Sequence, residues 1–414
     1  MKSAKKFICI LTALLLVCTM ALPVFADGET QYNEHDAAKL RAFFEQESPG
    51  GVKNGDVLFE NYDPDDPATW DAYMEFADDD IHAVEWDENG RVWCLGLGLE
   101  DKTLYGTLDV SGMEELALLE CGMCDITAVD CSGCAKLITV ELSQNKIKTI
   151  DLTGCTSIEV LDLGANELKE LDITDCKASL TNLDFDHNEI AGALDLTGMP
   201  NIQCVFASNN KLTSVKVPEE CTGLRILAAG ANEIAEAEIK ADVRDIRLEA
   251  NPLTVLDVTA CPNFLELALY NCHLTELHMC PDGNRIDVVS DGHGTFGGYV
   301  LNNVYDHETD TLYDGLYLTG IPDEGYEYMG LYMDGELAFE PNEAYEGEAL
   351  PTMSLTAVFS GGAPAPSEPD PSEPDPSEPA PIAPPVTGGA SLVFLGVISI
   401  MGGAAAVCLR RRGN

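Results

Sequence analysis

The sequence predicts a curved solenoid: a parallel β-sheet of about nine stacked coils, with a helical cap before it and a small β module after it. Three observations lead there. An apolar pattern recurs about every 21 residues between Val92 and Leu277. In each clear unit an Asn or Cys falls eight residues after the first apolar position. Outside that stretch the period stops and the composition changes.

One unit displays the pattern as Ile158, Leu161, Leu163, Asn166 and Leu168. The unit before it supplies Leu137, Val140, Leu142, Asn145 and Ile147. Later units place Asn188, Asn210, Asn232 and Asn251 at the same offset. Two outer units keep the register with Cys124 and Cys272 in the Asn place, and a degenerate first unit has Glu100 there. Each unit builds one short strand whose alternate residues point inward. A single unit cannot bury its apolar face, so stacked units share a continuous core. The Asn amide has two donors and an acceptor, enough to satisfy backbone groups of adjacent coils.

The spacing L-x-x-L-x-L-x-x-N-x-L is the leucine-rich-repeat signature. In this register the stretch 92–284 resembles bacterial surface leucine-rich-repeat proteins of the internalin-like kind. The resemblance implies a leucine-rich-repeat solenoid that serves in recognition or adhesion.

Residues 1–26 read as a signal peptide. Lys2, Lys5 and Lys6 precede an apolar run at 7–22, and Ala26 stands before the expected cut. Residues 27–91 read as the N-terminal cap. Asp36 is placed to cap a helix reaching Glu47, with Ala37, Leu40, Phe43 and Phe44 on one face. A second short helix is expected from Asp66-Pro67 through Trp70, Tyr73 and Phe76. Asn89-Gly90 marks a hairpin between residues 84–86 and 92–95. Asn61, Asp63 and Asp65 alternate like a calcium loop, but Asp66 and Ala72 stand where Gly and Glu are needed.

Residues 285–362 carry short alternating runs rich in Gly, Tyr, Val and Thr, which read as a small β domain. The order Tyr317-Leu318, Pro322, Glu324-Gly325-Tyr326, Gly330-Leu331-Tyr332 is similar to the divergent internalin B-repeat, a β-grasp-like module; Leu331 stands where that family has Trp. Residues 363–385 are Pro, Glu, Asp, Ser and Ala, an extended acidic stalk. Residues 386–414 hold an apolar run at 390–409, long enough to span a bilayer, and then Arg410, Arg411 and Arg412. With Pro385, Thr387 and Gly388 before it, this tail resembles a Gram-positive sortase signal, with Pro384 in place of Leu. The resemblance implies sortase as a partner and Thr387 as the residue joined to peptidoglycan. It also implies a protein secreted and anchored at the cell surface.

The chain has 414 residues and a formal net charge of −48. Setting aside the three leader lysines and the three tail arginines leaves 17 basic residues against 71 acidic ones. Such a body repels nucleic acid and anionic membranes, and attracts cations and basic partners. Of the 15 cysteines, twelve lie between Cys94 and Cys280. The pairs Cys121, Cys124 and Cys131, Cys134 have zinc-ribbon spacing, but the repeat register spreads them around the coil as small buried thiols.

Function is expected on the concave sheet face. The place between the inward pair reads Glu120, Glu141, Asp162, Asp184, Phe206, Ala228, Arg247 and Ala268; the place after it adds Asp186, Glu249 and Tyr270. Four stacked carboxylates suit a cationic protein or other surface ligand, and calcium is the one ion they would take; no other cofactor is implied. The alternative is an envelope enzyme, or a subunit of one, acting on surface glycans with a carboxyl pair. That needs one raised pKa, for which a stripe open to water gives little reason. His187 is expected at the rim and His293 in a loop, with no nucleophile placed beside either.

Overall fold

The computed structural model describes residues 32–361, apart from 71–72, 77–78, 99–101, 307–310 and 348. The leader, stalk and sorting signal lie outside the described residues. Among the described residues no helix is long and apolar enough to cross a membrane.

Nine parallel strands form the concave sheet: Val92–Gly96, Leu118–Glu120, Thr139–Glu141, Val160–Asp162, Asn182–Asp184, Cys204–Phe206, Ile226–Ala228, Asp245–Arg247 and Glu266–Ala268. We number the coils 1 to 9 by these strands. Their register never slips: Leu119, Val140, Leu161, Leu183, Val205, Leu227, Ile246 and Leu267 stand side by side, all buried. The opposite side carries shorter ladders, Tyr105–Asp109 with Asp125–Asp130 and Thr149–Asp151, and Ala191–Asp195 with Lys211–Val217 and Glu236–Ile239.

The repeated Asn sits where the chain leaves the concave strand, and its side chain bonds in two directions. In coil 4 the Asn166 Oδ1 accepts from the Ile147 amide of the coil before (3.0 Å), while Nδ2 donates to Leu142 O of that coil (3.0 Å) and Leu163 O of its own (3.0 Å). Asn145, Asn188, Asn210, Asn232 and Asn251 repeat this arrangement. The turn puts the residue before each Asn in the left-handed region, from Gln144 at φ 58° to Ala250 at φ 55°. Where Cys272 replaces Asn, its thiol donates to Leu248 O (3.2 Å), keeping the inter-coil bond and losing the acceptor. Cys134, Cys155 and Cys261 likewise donate to carbonyls of the coil before, at 3.1, 3.0 and 3.2 Å. All twelve described cysteines are free thiols, and eleven are buried.

The cap departs from the sequence expectation in its helices, the first of which stops at Phe44 instead of reaching Glu47. Helix α1 spans Glu34–Phe44 and is capped by Asn33, whose side chain accepts from the His35 and Asp36 amides. Asp36 lies inside the helix, fully buried, where its carboxylate takes Arg91 Nε (2.8 Å) and the Val92 amide (3.0 Å). The cap is thereby tied to coil 1. The second expected helix is a single 3₁₀ turn at Pro67–Thr69. Tyr73–Phe76 instead pairs antiparallel with Asp79–His82, which satisfies its backbone without a second helical turn. The short helix α2, Asn54–Leu58, was not foreseen; Asn54 starts it and bonds the backbone of Tyr105 in both directions (2.9 and 3.0 Å). The expected hairpin forms, with Val84–Trp86 antiparallel to coil 1. Phe44, Phe59 and Trp70 meet edge to face beneath it.

The C-terminal module is built into the sheets of the solenoid. Ile286–Ser290 pairs with Glu276–Met279 on one side, while Gly294–Asp306 pairs with coil 9 on the concave side. Gly297 permits that second pairing, since a Cβ there would lie 2.5 Å from Leu269 O. Thr311–Pro322 and Tyr345–Gly347 then extend the concave sheet to thirteen strands. Phe296, Val300, Leu316 and Leu318 continue the solenoid core.

The Asn register has a direct consequence. Asn166→Ala strands the Ile147 amide, leaves the Leu142 and Leu163 carbonyls with one donor each, from Asn145 and Asn188, and is expected to lower stability by about 2 kcal/mol. Glu167→Ala, one residue on and exposed, should stay within about 0.5 kcal/mol of wild type. Chemical denaturation of the two variants checks this, and equal losses would contradict the ladder.

Candidate functional site on the concave face

Because the strands are in register, residues equivalent between coils form straight columns across the concave sheet. The place between the inward pair runs Gly96, Glu120, Glu141, Asp162, Asp184, Phe206, Ala228, Arg247, Ala268, each opposite the next. The structure therefore brings the four expected carboxylates together on successive strands, ~4.8 Å apart. Asp186 lies beside them. A Cβ on Gly164 would stand 2.8 Å from Asp186 Oδ1 and 3.3 Å from Asp162 Oδ1 and Asp184 Oδ1, so three carboxylates crowd the space left by that glycine.

The stripe is not the freely hydrated surface that its composition suggests. Glu120, Glu141, Asp162 and Asp184 are all half-buried. Burial pushes the Glu120 carboxyl up to about 7. Burial, and then repulsion from Glu120 and Asp162, holds Glu141 well above the usual carboxylate range. Asp184 is raised by burial and by Asp162 and Asp186. The expectation of ordinary pKa values is corrected: flanking side chains displace water from the carboxylates, and like charges one strand apart repel.

Arg247 does not serve the stripe. Its Nε and Nη2 bond both Asp245 oxygens (2.9 and 2.8 Å), and Nη2 also reaches Glu266 Oε2 (3.1 Å). Burial holds Asp245 at about 6 against the pull of Arg247. Glu249 folds over Gly230, where a Cβ would meet its Oε1 at 2.5 Å. Phe206 is half-buried at the centre of the column and Tyr270 is 42% exposed at its far end.

The fold is a leucine-rich-repeat solenoid.

No family model matches the chain, and no curated protein does. Solved structures do. A leucine-rich-repeat protein of Leptospira interrogans, LIC12759, is 16% identical with a TM-score of 0.29 over 42% of this chain and 62% of its own. The functional domain of InlJ from Listeria monocytogenes, described as including a cysteine ladder, is 14% identical with a TM-score of 0.27 over 59% of this chain and 93% of its own. The plant peptide hormone receptor RGFR1, solved in complex with RGF2, is 13% identical with a TM-score of 0.21 over 47% of this chain and 51% of its own. The match thus spans less than two thirds of the leptospiral protein and of the plant receptor.

Within the leucine-rich-repeat frame, one concave column was missed from the sequence: the place before the inward pair, with Leu118, Thr139, Val160, Asn182, Cys204 and Ile226 in register. Strand alternation carried the signal, since these residues stand two before the acidic ones. They give the carboxylates a mostly apolar flank. His187 is exposed at the rim, its Nδ1 3.2 Å from Asp186 Oδ2. His293 stacks on Tyr326 with ring centroids 4.4 Å apart. Asp63 of the calcium-like loop accepts the Asp65 amide (2.9 Å) and, through its carbonyl, Trp70 Nε1 (2.8 Å). Among the described residues no group of three or more His, Cys, Asp or Glu is placed to hold a metal ion.

The raised carboxyls set a sign for pH dependence. A carboxyl with a folded-state pKa above its unfolded value, ~4.3 for Glu, binds protons more tightly when folded, so stability falls as pH rises through the folded pKa. Melting temperature is expected to drop between pH 5 and pH 8, through the Glu120 value of about 7. Glu141→Gln with Asp162→Asn should flatten that slope. A slope unchanged in the double variant would contradict mutual repulsion along the column.

Proposed function

We propose that this protein is a cell-surface recognition module whose concave face binds a cationic segment of a protein partner. The observation that carries the reading is the unbroken acidic column Glu120–Glu141–Asp162–Asp184, with no lysine or arginine in that column before Arg247. Assembling these half-buried carboxylates costs electrostatic energy in the free protein. A ligand cation offsets the repulsion and replaces lost hydration with charge-assisted hydrogen bonds. Leu118, Ile226 and the ring of Phe206, each half-buried, add contact area of the kind that interface centres favour.

Tetra-arginine amide is a direct probe. Its affinity should rise as salt falls, because the Debye length grows from ~8 Å at physiological ionic strength to ~30 Å at 0.01 M. Glu141→Gln with Asp162→Asn should weaken binding roughly tenfold, the equivalent of about 1.4 kcal/mol. Calorimetric titration showing no binding to wild type, or equal binding to the variant, would move the site elsewhere.

The sequence order Pro385, Thr387, Gly388, apolar run and arginine triplet supports attachment through Thr387 to the wall of a Gram-positive cell. This would hold the repeats outside the membrane on the acidic stalk. Thr387→Ala should shift the protein from the muramidase-released fraction to membrane or medium. Complete extraction of wild type by detergent alone would favour a retained span instead.

A further inference from the structure

The concave column does not end with the repeats. Coil 9 pairs with Gly294–Asp306, and that strand pairs with Thr311–Pro322, so Ala268 is followed by Tyr299 and then Tyr317. Their neighbours Val300, Leu316 and Leu318 are buried, which sends the two tyrosines to the opposite, concave face. Tyr270 leans on Tyr299 with centroids 5.5 Å apart, and Tyr299 stacks on Tyr317 at 5.4 Å and 25°. The C-terminal module thus adds an aromatic ladder to the surface that begins with the acidic column.

A carboxylate stands one strand before this ladder, on the side of the acidic column. Glu249 lies one strand from Tyr270, as the bond from the Ala250 amide to Tyr270 O (2.6 Å) shows. Its Oε2 is buried and has no hydrogen-bond partner among the described residues. Arg247, the nearest base in sequence, is engaged by Asp245 and Glu266. With its carboxylate turned toward Gly230, Glu249 stands between the acidic column and the three phenol rings, a place that suits the approach of a guanidinium or ammonium group. Glu249 supplies negative charge on the approach and the rings supply cation–π attraction.

We propose that Tyr270, Tyr299 and Tyr317, with Glu249 one strand before them, form a second cation subsite. It takes an arginine or lysine farther along the same extended peptide that the acidic column binds. The proposal rests on the cation-binding reading of that column. Charge selects the occupant, since both ends of the face favour a cation. Spacing sets its length. Five strand steps separate Asp184 from Tyr299, on the order of 24 Å, which an extended peptide crosses in roughly seven residues. Between the ends lie Phe206, Ala228 and Ala268, which ask for no charge, and the already paired Arg247.

The test compares two probes on the full-length protein: tetra-arginine amide, and a peptide of two arginine tetrads separated by a six-residue glycine–serine spacer. The longer peptide is expected to bind wild type roughly tenfold tighter or more, because its second tetrad is held near the ladder by the first. Tyr299→Leu with Tyr317→Leu, and separately Glu249→Gln, should remove that gain and leave tetra-arginine binding unchanged, which also certifies their folding. Tyr299→Phe with Tyr317→Phe should keep the gain, because the ring faces persist. A gain that survives in the leucine variant overturns the subsite, as does a longer peptide that binds no tighter. If chitohexaose binds wild type and not the leucine variant while the peptide gain is absent, the platform takes sugars and the proposal is wrong. Failure of tetra-arginine itself to bind wild type removes the acidic-column reading and the linked subsite together. Loss of the gain alone removes only the subsite.

Discussion

A buried amide, repeated in six successive coils, holds the hydrogen bonds on which the stacking depends. Each Asn joins the backbone of its own coil to that of the coil before, through one acceptor and two donors. No apolar side chain can do this. The turn leaving each concave strand exposes amides and carbonyls to the core, and leaving them unpaired costs more than the bonds contribute when made. Because the same amide bridges every interval from coils 2–3 to coils 7–8, and the Cys272 thiol the next, the coils cannot slip past one another. The unshifted register of the parallel strands follows from that lock.

Register in turn creates the candidate surface. Residues equivalent between coils are placed one strand apart, so a preference at one position becomes a column across the sheet. Glu141 and Asp184 are raised further through this alignment, because Asp162 stands between them and repels both. Four in a row, flanked by Val160 and Cys204 on buried backbone, share the cost of desolvation and of mutual repulsion. The same rule lets the C-terminal strands place Tyr299 and Tyr317 in line with the repeats, although their sequence follows no repeat pattern.

The ends of the array meet a different constraint. A terminal coil exposes both core and strand edge. At the start, the buried Asp36–Arg91 pair and the Val84–Trp86 strand answer it. At the finish, two pairings of the C-terminal module cover both faces of the last coils. These covers contribute side chains as well as closure. The tyrosine ladder exists because the covering strand is hydrogen-bonded edge to edge.

The repeat register, the strands, the Asn ladder and the four carboxylates were legible in the sequence, because each depends on spacing along a chain whose coils are nearly identical. Periodicity also showed which residues point inward. It could not show that Asp36 is a buried partner of Arg91, since that contact joins residues 55 apart with no shared pattern. Nor could it show that Tyr73–Phe76 pairs as a strand: aromatic spacing at three residues fits a helix as well, and only the presence of Asp79–His82 alongside decides. The raised carboxyls and the continuation of the concave face through Tyr299 and Tyr317 belonged to tertiary structure for the same reason. Burial and strand pairing are properties of neighbours in space, and composition carries the charge of a residue but not what stands across the sheet from it.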